Sequence, residues 1–198
     1  MLKKIKVVQD NDPESPRDWD NLGTMTCWHR RRTLGDRHGQ GELVEAIQSA
    51  PQWRETWYYE YNMADPRELL ELAEKCQFII LPLYLYEHSD ITMNTHGFSC
   101  RWDSGQVGFI WVTREDVRKE YGVKRISKAL LERVYHVLNS EVETYDQYLR
   151  NDIYGFEAID ENDEVVDSCW GFYGDDPKTN GMADHLPEGW ESVPVEEV

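Results

Sequence analysis

The sequence predicts an α+β fold: a mixed, mostly antiparallel sheet of about five strands with helices packed on it, one of them long and placed near 127–150. Three observations carry this reading. Two apolar, β-rich runs, Phe78 to Tyr86 and Val107 to Val112, bracket a long polar loop. Apolar residues recur at helical spacing from Leu130 to Leu149. Segments 154–159 and 164–172 flank Asp160-Glu161-Asn162-Asp163, the pattern of a hairpin with an acidic turn. Hydrophobic residues make up 40% and aromatic residues 12% of the 198, enough to bury a core without staples. The expected organisation is a single α+β domain over 1–174, then an acidic, loosely packed segment over 175–198.

In chain order, Lys3 to Val8 reads as a short strand. Residues 9–23 hold two Pro and four Asp and read as a loop. Thr24 to Trp28 favours a strand that ends in His29-Arg30-Arg31-Arg32, and the glycine-rich TLGDRHGQGE after it is a loop. Leu43, Val44 and Ile47 share a helical face that Pro51 terminates. Residues 52–63 suit a strand or a short helix equally. Asp65-Pro66-Arg67-Glu68 starts a helix that continues to Cys76, with Asp at the N-cap and Pro at the first helical position.

The run 77–86 is apolar on both faces, which predicts a strand covered on both sides, broken or bulged at Pro82. Its expected partner, antiparallel across the loop, is 106–112. Thr113 to Asp116 has the form of a capping box, and Gly122 ends the helix it opens. Ser127 caps the longest helix, which at about 1.5 Å per residue measures about 35 Å. After Gly174 the apolar anchors are chiefly Met182, Leu186 and Trp190.

Charge narrows the function. The net charge is −17, and residues 140–198 contain 17 acidic and two basic side chains. This disfavours direct contact with nucleic-acid phosphates and favours a basic partner, or solubility alone. The opening MLKKIKVVQD lacks the apolar core of a signal peptide, and no run approaches the ~20 residues that span a bilayer. A cytoplasmic protein without membrane contact is the expectation. Cys27, Cys76, Cys100 and Cys169 form no CxxC pair and read as free, mostly buried thiols.

Two groups of residues stand out. The first joins His29, Arg30 and Asp36 to His88, His96 and Asp103, all following predicted strands and so expected on one side of the molecule. The steps from His88 to His96, Cys100 and Asp103 match no standard zinc knuckle, and no metal or other cofactor is expected. A triad of Ser104 with His88 or His96 lacks the G-x-S-x-G elbow. The arginines of 30–32 suit a phosphate or carboxylate, but pairing with the chain's own surplus acids is the better reading. The second group is the acidic surface of the hairpin: Glu157, Asp160, Glu161, Asp163, Glu164 and Asp167. Aromatic residues Trp53, Trp57, Tyr58, Tyr59 and Tyr61 suit a stacking platform or a partner-binding patch, with about half of the set expected in the core.

Three blocks, DNLGTMTCWHRRRTLGD (20–36), LYLYEHSDITMNTHGFSCRWDSGQVGFIWVTRE (83–115) and VDSCWGFYG (166–174), resemble a family of uncharacterised proteins of bacteriophages and mobile elements. The resemblance implies an accessory protein of such an element, working in the host cytoplasm, and carries over no catalytic residue. Together with the charge it leads to the expectation of a protein that acts by binding. The form expected is an acidic mimic of DNA that inhibits a host nucleic-acid-binding defence protein through that protein's basic surface. The alternatives are an enzyme, hydrolytic or metal-dependent, with its site on 88–103 and 29–38, or an accessory protein that inhibits nothing.

Overall fold

A computed structural model describes residues 1–56 and 61–197, and over these the chain is α+β, as the sequence predicts. Two compact units are present: Trp19–Glu143, and Met1–Asp18 together with Thr144–Val198.

The Trp19–Glu143 unit is built on a five-stranded sheet of β2 (Thr24–Cys27), β3 (Arg37–His38), β4 (Phe78–Glu87), β5 (Ile91–Asn94) and β6 (Ser104–Thr113), in the order β3-β2-β6-β4-β5. Central β6 runs antiparallel to β2 and to β4, so the pairing expected across the loop is present, from Phe78 opposite Thr113 to Tyr86 opposite Ser104. β4 continues through Pro82, opposite Phe109, and its register slips one step later, between Leu83 and Tyr84. Pro82 is tolerated because β5 pairs only with Tyr84–Glu87, which leaves that side of β4 open at the proline. Gly108 of β6 faces the Thr26 carbonyl of β2 too closely for any Cβ, so this crossing requires glycine.

Both faces of this sheet are covered. On one, Leu43 and Ile47 of α1 (Gly41–Ser49) and Leu69, Leu72 and Ala73 of α3 (Pro66–Lys75) pack with Phe78, Ile80, Phe109 and Trp111. The ambiguous 52–63 stretch opens as a short helix, α2 (Trp53–Thr56). Trp53 and Tyr61 join this core, and Trp57, Tyr58 and Tyr59 lie outside the described residues. On the other face sits the 128–143 part of α5 (Lys128–Leu149), whose Leu138 closes over Gly23 together with Ile110. Val134, Leu138 and Val142 are buried, the stripe expected from the spacing, while Leu130 at its start is half-buried.

Local chemistry sets the helix ends. Asp65 accepts from the Arg67 N–H at 2.8 Å at the start of α3, and the Thr113 hydroxyl accepts from the Asp116 N–H at 3.0 Å at the start of α4 (Arg114–Glu120). Ser127 accepts from the Leu130 N–H at 3.1 Å at the start of α5. Gly122, at φ 62°, closes α4 in the left-handed region.

The other unit carries a four-stranded sheet, ordered β8-β7-β1-β9: β1 (Leu2–Gln9), β7 (Ile153–Asp160), β8 (Val165–Tyr173) and β9 (Val195–Glu197). β7 is antiparallel to β1 and β8, and β9 runs parallel to β1. Ile5, Val7, Phe156, Ala158, Phe172 and Met182 form its core, with Leu186, Trp190 and Val193 packed against them. The three anchors expected after Gly174 hold 175–197 to this sheet together with Val193 and the β9 pairing to β1. Among the described residues, no helix is long and apolar enough to cross a membrane.

Because Leu138 is fully buried against Ile110, Leu138→Ala should destabilise the protein by about 2–5 kcal/mol in urea denaturation. Leu130→Ala, at the half-buried start of the stripe, should cost clearly less. Equal costs at the two positions would mean that the helix does not seal this face.

Candidate functional site

Flanking β6 antiparallel on both sides makes β2 and β4 parallel to each other, so their carboxyl ends lie together beside the amino end of β6. Three polar segments meet there: His29–Arg32 after β2, Glu87 with 88–90 after β4, and Arg101–Asp103 before β6. The Glu87 carboxylate is the centre. Arg32 reaches its Oε1 with Nε at 2.9 Å and Nη2 at 2.8 Å, and Arg31 Nη2 reaches Oε2 at 3.1 Å. His29 Nε2 lies 3.7 Å from Oε2, and its Nδ1 is buried without a hydrogen-bond partner among the described residues. The Glu87 N–H donates to the Asp103 carbonyl at 2.8 Å, which ties the 101–103 segment to the same spot. The Arg32 hydrogen bond, reinforced by the charges of Arg31, Arg32 and His29, holds the Glu87 carboxyl below the usual carboxylate range.

The predicted residues separate on this frame. His29, His88 and Asp103 share the strand-end region, and Arg30 is exposed beside them. Asp36 instead accepts the Met25 N–H at 2.7 Å and pins its own loop to β2. His96 follows β5 at the end that pairs with Tyr84, about 10 Å along the strand from the Glu87 end, and is not part of the group. Arg31 and Arg32 pair with the chain's own acid, as does Arg37 with Glu42 at 2.6 Å. Ser104 donates its hydroxyl to the Cys100 carbonyl, and the Cys100 thiol approaches Asp103 Oδ2 at 3.5 Å. Among the described residues, no three His, Cys, Asp or Glu side chains converge as metal ligands. Sequence reasoning missed Glu87. The available signal was an acid closing a long apolar strand, directly before His88.

A cleft of about 610 Å³ lies elsewhere in this unit, lined by Asp20, Asn21, Asp116, Tyr121 and Glu141 among others. Two of its acids are committed to the fold: Glu141 accepts from the Leu22 and Gly23 N–H groups, and Asp116 shares a hydrogen bond with Thr113.

The acidic group lies in the other unit, on the β7–β8 hairpin. Asp160 turns inward: Oδ1 accepts from the Asn162 and Glu164 N–H groups at 2.8 and 3.0 Å, and Oδ2 from Asn162 Nδ2. These bonds, that from Glu164 above all, hold its carboxyl below the usual range. Asp163 pairs with Lys3 at 2.5 Å, which lowers its carboxyl in turn. Glu157 lies opposite Lys6 in the β1 register, and Glu161 is 4.0 Å from the terminal amine. Glu164 and Asp167 are exposed and form no ion pair among the described residues. Among the described residues β8 pairs only with β7 and is an edge strand, exposed over most of its length, with Val165, Val166 and Trp170 53%, 58% and 44% accessible.

Comparisons with protein-family models, curated proteins and solved structures returned no match.

The lowered Glu87 carboxyl fixes the sign of a pH effect. Its pairing stabilises the folded chain above the ordinary glutamate pKa of about 4.3, and that contribution is lost as the pH falls through the lower folded value. Melting temperature measured against pH should therefore fall more steeply below pH ~4 in the parent than in Glu87→Gln. Parallel curves would show that the carboxylate adds nothing to the fold. For the same reason Asp160→Ala should lower the melting temperature at neutral pH, whereas Glu164→Ala should not.

Proposed function

We propose that the chain acts by binding, with the acidic hairpin unit engaging a basic surface on a host protein that otherwise holds nucleic acid. The observation that carries this is the division of charge. The Met1–Asp18/Thr144–Val198 unit holds nineteen acidic and six basic residues, and the other unit nineteen and fifteen. A net of −13 on one unit repels itself, a cost recovered when a cationic partner is bound. Glu161, Glu164 and Asp167 are the outward acids of the hairpin, whereas Asp160 and Asp163 serve its turn and the Lys3 pair. A partner's arginines would meet the first three, Glu161 and Glu164 in the turn and Asp167 on the edge strand β8, which also offers Val166 and Trp170 to its apolar surface.

The similarity of the three blocks to bacteriophage and mobile-element proteins supports an accessory protein in the host cytoplasm. In that setting an acidic mimic of DNA inhibits a defence protein by occupying its nucleic-acid surface. A second reading, an enzyme using 29–38 and 88–103, is favoured by one observation, the meeting of those segments at Glu87.

The test is capture from a host lysate on the immobilised protein. A captured protein should compete for duplex DNA and be released as salt rises toward ~1 M, where the screening length falls to about 3 Å. The triple variant Glu161→Gln, Glu164→Gln, Asp167→Asn leaves Asp160 in place and should keep its melting temperature yet capture less. Undiminished capture by that variant, or capture that survives high salt, would remove the acids from the interaction.

A further inference from the structure

The strand-end group in the Trp19–Glu143 unit holds two arginines that are anchored and still exposed. Arg31 and Arg32 are 78% and 46% exposed, whereas Glu87, which holds both, is 22% exposed. A guanidinium carries five N–H donors. Arg31 places one nitrogen on Glu87 and Arg32 two, so both keep donors facing water from a fixed anchor. Fixing an arginine beforehand lowers the entropy lost when it binds an anion.

Two further arginines border the same end of the sheet. Arg30 and Arg101 are exposed, and neither forms an ion pair among the described residues. Between Arg101 and Asp103, whose carbonyl is held by the Glu87 N–H, Trp102 is 96% exposed. An indole in water stabilises nothing in the fold. Beside arginine donors it is a flat surface on which an aromatic ring can stack.

We propose that this surface binds a nucleotide: Arg31 and Arg32, with Arg30 and Arg101, take the phosphates, and Trp102 stacks on the base. The acids at this end set the size of the ligand. Glu87, Asp90 and Asp103 oppose the four arginines, leaving one net positive charge, within a chain whose net charge is −17. That balance suits a small phosphate ester held by bidentate arginine contacts and disfavours a long polyanion, whose every further phosphate meets negative surface. The proposal is independent of the acidic hairpin and of any partner bound there.

Calorimetric titration of the full chain with ATP, with pyrophosphate and with adenosine tests it. ATP should bind saturably, pyrophosphate more weakly and adenosine more weakly still. Arg30→Gln with Arg101→Gln changes two exposed side chains that hold no ion pair among the described residues, so folding should be kept. Affinity for both ATP and pyrophosphate should drop by about tenfold, the scale of a charge-assisted hydrogen bond to phosphate. Trp102→Ala should weaken ATP and leave pyrophosphate unchanged. On the parent protein, ATP should shift the Trp102 indole N–H resonance, identified by its loss in Trp102→Phe. No saturable heat with ATP at millimolar concentration would overturn the proposal, as would unchanged affinities in the arginine pair variant. Equal binding of ATP and pyrophosphate with no Trp102 effect would overturn the nucleotide assignment.

Discussion

Strand β6 is the constraint from which the Trp19–Glu143 unit follows. From Val107 to Val112 every residue is buried, so its backbone N–H and C=O groups have no water to bond and must be met on both edges. β2 and β4 meet them, both antiparallel. That choice makes the two outer strands parallel and delivers their carboxyl ends to one place. The arginines after β2 and the glutamate closing β4 are 55 and 56 positions apart in the chain. They meet because one strand between them is fully buried. The same strand presents Phe109 and Trp111 to the helices on one face and Ile110 to α5 on the other. The Trp111 indole N–H buried in this layer is satisfied by Thr26 at 2.9 Å, a cross-strand bond that also explains the fully buried threonine of β2.

Acidity has two physical uses in this chain, and the structure separates them. Some carboxylates build the fold: Asp160 organises a turn, Asp36 and Glu141 accept backbone N–H groups, Asp65 caps a helix, and Glu87 holds two arginines. Others, Glu164 and Asp167 among them, face solvent and contribute mainly potential. Counting charges treats both alike. The hairpin is therefore less uniformly negative in its interactions than its composition, since Asp160 and Asp163 already have partners within their unit.

The strand-end group and the acidic hairpin also differ in what holds them in place. The first rests on a sheet covered on both faces, with its arginines tethered by a carboxylate, a rigid support for loop residues. The second lies on an edge strand with a neighbour on one side only, where local opening breaks fewer hydrogen bonds. A small ligand gains from the first arrangement and a partner that adapts its own surface from the second.

Patterns that are local in the chain were decided by the sequence alone. The period of 3.6 from Leu130 onward fixes α5 and its buried stripe, because residues three and four apart share a helix face wherever the helix is placed. The caps at Asp65, Thr113 and Ser127, the β4–β6 pairing across its loop and the 160–163 turn follow from chemistry within a few residues or from two long apolar runs. β5 escaped notice because Ile91–Asn94 is short and half polar and becomes a strand only beside β4. The division of the strands into two sheets was decided by tertiary structure. β1 pairs with β7 about 150 residues away, and no local signal carries so distant a register. The candidate site was half legible for the same reason: its histidines and arginines announce their chemistry in the sequence. Glu87, which joins them, reads as the end of a strand until folding brings β2 and β4 to the two sides of β6.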